Sequence, residues 1–90
     1  MTEAIHIIIR GRVQGVCFRS GTKEKAVELG ILGWVKNTSE GTVEIQAEGE
    51  KSKLDNFIVW CRNGTPFANV TSITLTSISL QNFKSFEICS

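Results

Sequence analysis

Ninety residues are enough for one domain and too few for two packed cores, so a single domain spanning 1–90 is expected. Hydrophobic residues make up 41% and charged residues 21%, with one proline, which excludes a disordered chain. Ten basic against nine acidic residues leave a net charge of +1, too balanced to grip long nucleic acid through an overall field, and no stretch approaches the roughly 18 apolar residues of a membrane helix.

Ile5, Ile7 and Ile9 alternate with His6, Ile8 and Arg10, the period-two pattern of a strand with one strongly apolar face. Glu3 and the shortness of this apolar run argue against a cleaved leader, so a cytoplasmic location is expected. The three cysteines, Cys17, Cys61 and Cys89, lack paired metal-type spacing and read as reduced thiols; whether Cys61 and Cys89 pair stays open. The segment GRVQGVCFR, residues 11–19, breaks the alternation with two glycines and two arginines. From about Arg19 a helix is expected, with Thr22, Ala26 and Leu29 on one face, Gly30 as a left-handed cap and Ser20 as a candidate N-cap.

Ile31 to Lys36 and Thr42 to Glu48 read as a strand pair joined by Asn37 to Gly41, with Gly41 suited to a positive φ. Val43, Ile45 and Ala47 face one way; Glu44 and Glu48 share the other, which is expected to be an exposed sheet surface. Lys51 to Cys61 is a helix with Leu54, Phe57, Ile58 and Cys61 on its apolar face, ended by Asn63-Gly64. Val70 to Leu80 is rich in β-formers, but Ile73 and Leu75 differ in parity from Ile78 and Leu80, which predicts a bulge or turn near Thr76-Ser77. Phe86 and Ile88 indicate a short last strand. The order β-α-β-β-α-β is that of an α+β, ferredoxin-like sandwich, with two helices on one face of an antiparallel sheet.

Residues 11–19 also carry chemistry. A loop that enters a helix N-terminus offers unpaired N–H groups and a favourable dipole for an anion. Gly11 and Gly15 let the backbone approach a ligand, and Arg19 adds a planar fork of donors suited to phosphate. Glycine-rich strand–helix turns also occur as geometry alone, so spacing by itself leaves a phosphate cradle and a plain turn both open. No Gly-Lys-Ser/Thr follows, which excludes a Walker loop. One residue between Cys17 and Arg19 is too few to wrap a phosphate between a nucleophilic thiolate and a guanidinium. His6 is read as solvated or packed on the sheet rather than catalytic.

Gly11-Arg12-Val13-Gln14-Gly15-Val16-Cys17-Phe18-Arg19 resembles the Gly-x-Val-Gln-Gly-Val-x-Phe-Arg signature of the acylphosphatase family. Leu29 to Asn37 is similar to that family's second block, continued by Gly41-Thr42-Val43-Glu44, and Ala68-x-Val70 and Phe83-x-x-Phe86-Glu87-Ile88 resemble its last strands. Glu40 stands where an aspartate is frequent, and Asn63-Gly64-Thr65-Pro66 where a Gly-Pro-Pro-like turn is common. The resemblance implies hydrolysis of acyl phosphates to a carboxylate and inorganic phosphate without metal or cofactor. Arg19 and Asn37 would be catalytic, and Gln14, Gly15, Val16, Cys17, Phe18 and Arg19 would form the phosphate-binding loop. A monomer acting on a small acyl phosphate, with no nucleic-acid or membrane partner, is expected. RNA-binding domains of this topology need exposed aromatics on the central strands, and TVEIQAE has none. Two alternatives use the same loop: a binding module for small anions or acyl phosphates without turnover, and a carbamoyl-phosphate-handling module of a larger maturation enzyme.

Overall fold

The structure, a computed structural model, describes residues 1–89. The elements in chain order are β1 (Thr2–Arg12), α1 (Phe18–Leu29), β2 (Leu32–Asn37), β3 (Val43–Glu50), α2 (Lys51–Asn63), β4 (Asn69–Ile78) and β5 (Phe86–Ile88). They form one sheet in the order β4-β1-β3-β2-β5. The first four strands pair antiparallel, as expected for a ferredoxin-like fold, and β5 adds a parallel strand beside β2. The sheet is therefore mixed. Both helices start near a strand end and run back along one face of it.

Alternation in β1 and β3 decides which face the helices cover. Ile7 and Ile9 of β1 and Val43, Ile45 and Ala47 of β3 are fully buried, against Phe18 and Ala26 of α1 and Leu54, Phe57 and Cys61 of α2. Burying a large aliphatic or aromatic side chain is worth about 1.5–3 kcal/mol, so this layer dominates the favourable free energy. Phe86 of β5 closes the far side edge-on to Phe57, with ring centroids 6.1 Å apart. Ile58, expected on the core face of α2, is only half-buried. Gly30 caps α1 in the left-handed conformation, and Gly64 ends α2 with φ 70°.

Two readings of the sequence need correction. β4 runs unbroken through Thr76 and Ser77; its irregularity lies near the other end, where the register shifts between Arg10/Ser72 and Gly11/Val70. The parity change at Ile78 needs no bulge, because Ile78 pairs with Ala4 on the helix-free face, which is itself covered at that end. Glu48 lies on that same face and is only 5% exposed. Its carboxylate accepts backbone N–H bonds from Gln81 (2.6 Å), Asn82 (3.2 Å) and Phe83 (3.0 Å), the segment that carries the chain from β4 across to β5. Burial alone would raise the Glu48 pKa, but these three donors outweigh it and hold the carboxyl below the ordinary value of 4.5. Glu44 is likewise not simply solvated. It is bonded to His6 at 2.7 Å and lies 3.6 Å from Lys36; the His6 hydrogen bond lowers its pKa. His6 is thus packed on the sheet, half-buried.

Candidate active site

The strand register sets which groups meet at one end of the sheet. Ile9, Val43 and Asn37 lie in a row across β1, β3 and β2. Ile9 and Val43 point into the core under the helices, so Asn37, in register with them, belongs to the same side. β1 ends there too, and its chain turns through residues 13–17 into α1. Arg19 is the second residue of that helix. The loop, the N-terminus of α1 and Asn37 therefore share one end and one face of the sheet.

The loop is fixed by what it buries. Val13, Val16 and Phe18 are all but inaccessible, while Gly15 and Cys17 are exposed. Three apolar anchors on the inside leave the main chain as the outer surface. Gly15 has φ 73° and Cys17 has φ 63°, ψ 24°, both left-handed. Such turns between right-handed residues gather successive N–H groups into a concavity. Cys17 occupies the N-cap without a side-chain cap bond, and Ser20 donates its hydroxyl back to Cys17 O at 3.2 Å. The expected serine N-cap is therefore replaced by a residue whose backbone, not its side chain, shapes the helix start. Among the described residues, the backbone N–H groups of Gln14 through Arg19 have no acceptor. Arg19, half-buried, has no carboxylate partner among them either.

Side chains tie the loop to its neighbours through its carbonyls and flanks, which leaves those donors free. Gln14 Nε2 donates to Thr38 O and Thr42 O, each at 2.9 Å, joining the loop to the turn that begins just after Asn37. That turn is closed by Thr38 N–H to Thr42 O at 2.9 Å and by the two threonine hydroxyls 2.6 Å apart. From the other side, Thr65 Oγ1 donates to Val16 O at 2.8 Å. Thr38, Thr42 and Thr65 were not singled out from the sequence; the two threonines bracketing Ser39-Glu40-Gly41 were the available signal. Asn37 Oδ1 is buried without a hydrogen-bond partner among the described residues. Such an acceptor costs about 1–3 kcal/mol unless something fills it.

No cluster of three His, Cys, Asp or Glu side chains able to hold a metal occurs among the described residues. All three cysteines are free; burial pushes the Cys61 thiol up, and Cys17 is exposed in the loop. A groove of about 610 Å³ lies on the helix-free face, lined by Ile8, Arg10, Thr38, Glu40, Thr42 and Glu44 among others. Gly11, the first residue of the 11–19 segment, also lines it, but neither Arg19 nor Asn37 does. No helix among the described residues is long and apolar enough to cross a membrane.

The sequence pattern of the acylphosphatase family matches residues 5–88. An acylphosphatase of Methylococcus capsulatus is 42% identical over 78 residues, 87% of this chain and 85% of that protein. The crystal structure of acylphosphatase from Bacillus subtilis superposes with a TM-score of 0.95 at 42% identity, covering all of both chains. The crystal structure of full-length HypF in its phosphate- and nucleotide-bound form contains a stretch that superposes on the whole of this chain with a TM-score of 0.94 at 27% identity, and this covers 12% of HypF.

Proposed function

The chain belongs to the acylphosphatase family, and on that premise we propose that its loop amides and Arg19 hold the phosphate of an acyl phosphate while Asn37 aims the attacking water. The enzyme hydrolyses an acyl phosphate to a carboxylate and inorganic phosphate. Phosphoryl transfer through a loose transition state asks for positioning and charge stabilisation more than covalent help. The N–H groups of Gln14 to Phe18 and the guanidinium of Arg19 would supply both to the equatorial oxygens, without reorganising during the reaction. Asn37 has no proton affinity near neutral pH, so it acts by orientation. Its Oδ1 accepts a hydrogen bond from water and turns the water's lone pair toward phosphorus. As the water O–P bond forms, the bond from phosphorus to the acyl oxygen breaks and its electron pair leaves with the carboxylate. The water's proton passes to a phosphate oxygen. A carboxylic acid of pKa about 4 leaves unaided, so neither a protein acid nor a metal has a task to perform.

The observation that carries this reading is the buried, unpartnered Asn37 Oδ1 at the same end of the sheet as the row of unpaired loop amides. A module that only bound anions would use the loop and Arg19, but it has no use for a buried acceptor beside them. Release of carboxylate from an aryl acyl phosphate, followed by absorbance with EDTA present, tests it. Wild type should be unaffected by the chelator. Arg19→Ala should lose about 10²–10⁴-fold in kcat/KM, and Arg19→Lys should recover little because the fork geometry is gone. Asn37→Ala should keep inhibition by inorganic phosphate while kcat falls. Phosphate binding without hydrolysis by the wild type would establish the binding module instead, and activity lost to EDTA and restored by a metal would refute the metal-free step.

A further inference from the structure

The loop of residues 13–17 meets the turn after α2 through one side-chain hydrogen bond. Thr65 Oγ1 donates to Val16 O at 2.8 Å, and among the described residues it is the only hydrogen-bond donor to that oxygen. Both partners are held from behind. Val16 is 5% exposed and serves as one of the apolar anchors of the loop. Thr65 lies between Gly64, which turns the chain with φ 70°, and Pro66, which confines the residue before it to extended backbone. The Ala68 N–H donates to Thr65 O at 3.0 Å and closes the turn. On the other flank Gly21, in the first turn of α1, makes room: a Cβ there would lie 3.1 Å from Thr65 Cγ2. A β-branched side chain is stiff at χ1, so the hydroxyl is aimed rather than mobile.

We propose that Thr65 is a positioning residue for phosphate binding, which by holding Val16 O fixes and strengthens the Cys17 N–H as a donor. The inference rests on the loop binding phosphate as proposed above. Val16 C=O and Cys17 N–H belong to one planar trans peptide and point opposite ways across it, so fixing the oxygen fixes the N–H. Cys17 needs that constraint. It stands at φ 63°, ψ 24°, a region that residues other than glycine seldom enter unless their surroundings hold them there. The peptide after Cys17 is pinned by the helix start, since Cys17 O accepts the Gly21 N–H at 3.1 Å and the Ser20 hydroxyl at 3.2 Å. The peptide before it has Thr65 alone. The left-handed residue is thus clamped between two fixed planes, one of them set by a hydroxyl from a different part of the chain. A carbonyl that accepts a hydrogen bond also polarises its own peptide, which makes the N–H at the other end a better donor. Thr65 itself touches no substrate.

Substitutions at position 65, read by kinetics and by amide proton–nitrogen correlation spectra, test the assignment. Thr65→Val removes the hydroxyl and keeps the methyl against Gly21, whereas Thr65→Ser keeps the hydroxyl. Removing one oxyanion donor outright costs about 10²–10³-fold, and Thr65→Val weakens a donor without removing it, so kcat/KM should fall about tenfold. The Ki of inorganic phosphate as a competitive inhibitor should rise by a similar factor, and Thr65→Ser should recover most of both losses. Thr65→Ala should behave like Thr65→Val, so the test does not hang on one variant folding. Added phosphate should move the Cys17 amide cross-peak downfield in wild type and Thr65→Ser, and much less in Thr65→Val. Those spectra require no turnover. A wild type that binds phosphate without hydrolysing substrate would overturn the hydrolytic reading alone, and the Cys17 shift would still decide the role of Thr65. A Thr65→Val protein that melts lower yet keeps the wild-type Ki and Cys17 shift would reduce the contact to a structural tie and overturn the inference. Equal losses in Thr65→Val and Thr65→Ser would overturn it as well.

Discussion

Replacing Glu48 should destabilise the protein severely and leave its chemistry alone. The carboxylate accepts three backbone N–H bonds from Gln81 to Phe83 at 2.6–3.2 Å, and it sits on β3 at the end of the sheet away from Asn37. Each hydrogen bond to a charged group is worth about 1.5–3 kcal/mol, from which the cost of burying the carboxylate must be subtracted. Because Gln81 and Asn82 are exposed and their N–H groups can rehydrate, Glu48→Ala should lose about 2–3 kcal/mol net. In a chain of this length that lowers Tm by roughly 10–20 °C. Glu48→Gln keeps one acceptor oxygen but turns an NH2 against the donors, and should fall about halfway. The pH dependence has a definite sign. With the folded pKa below the ordinary 4.5, the stabilisation is complete above that value and disappears as pH falls through the lower folded value. The gap in Tm between wild type and Glu48→Gln should therefore be constant near neutrality and close in acid. Thermal denaturation at stepped pH, with kcat at 25 °C in parallel, measures all of this. A Tm unchanged in Glu48→Ala, or a gap that widens in acid, would refute the reasoning.

Other expectations are more local. A Cβ at Gly11 would stand 2.1 Å from Asn69 O with φ at +121°, so Gly11→Ala should cost about 3–5 kcal/mol in urea denaturation by prising β1 from β4. Gln14→Ala removes both ties between the loop and the turn after Asn37, and should lower kcat/KM about tenfold for a stability loss of only about 1–2 kcal/mol. An aromatic disulfide reagent should label Cys17 and Cys89 in the native protein, whereas buried Cys61, its thiol pushed up, should react only with added denaturant.

Much of the fold was legible because period-two and helical patterns report directly on which face is buried. Ile7 to Ile9 of β1, Val43 to Ala47 of β3, and Leu54, Phe57 and Cys61 of α2 follow that rule. The misread strand positions share a cause: each involves contact between segments distant in the chain. Parity in β4 suggested a bulge at Thr76-Ser77, since nothing local reveals that the helix-free face opposite Ile78 is covered. Glu48 read as a solvated strand residue, because its partners lie more than thirty positions away and are main-chain groups without a side-chain signature. At the site, Arg19 and Asn37 were marked by their setting in two motifs, whereas the bridge from Gln14 to Thr38 and Thr42 depends on a meeting of loop and turn that spacing does not encode. The left-handed Cys17 was equally hidden, since that conformation is ordinarily announced by glycine or asparagine.

The unpaired amides of residues 14–19 have a chemical consequence of their own. A peptide nitrogen does not take up or release protons anywhere in the range where proteins stay folded. If these amides hold the phosphate as proposed, their share of the grip does not change with pH. On the proposed reading, a change of turnover with pH would then report the ionisation of the bound acyl phosphate, melting of the scaffold or a neighbouring side chain, and not the main-chain donors themselves.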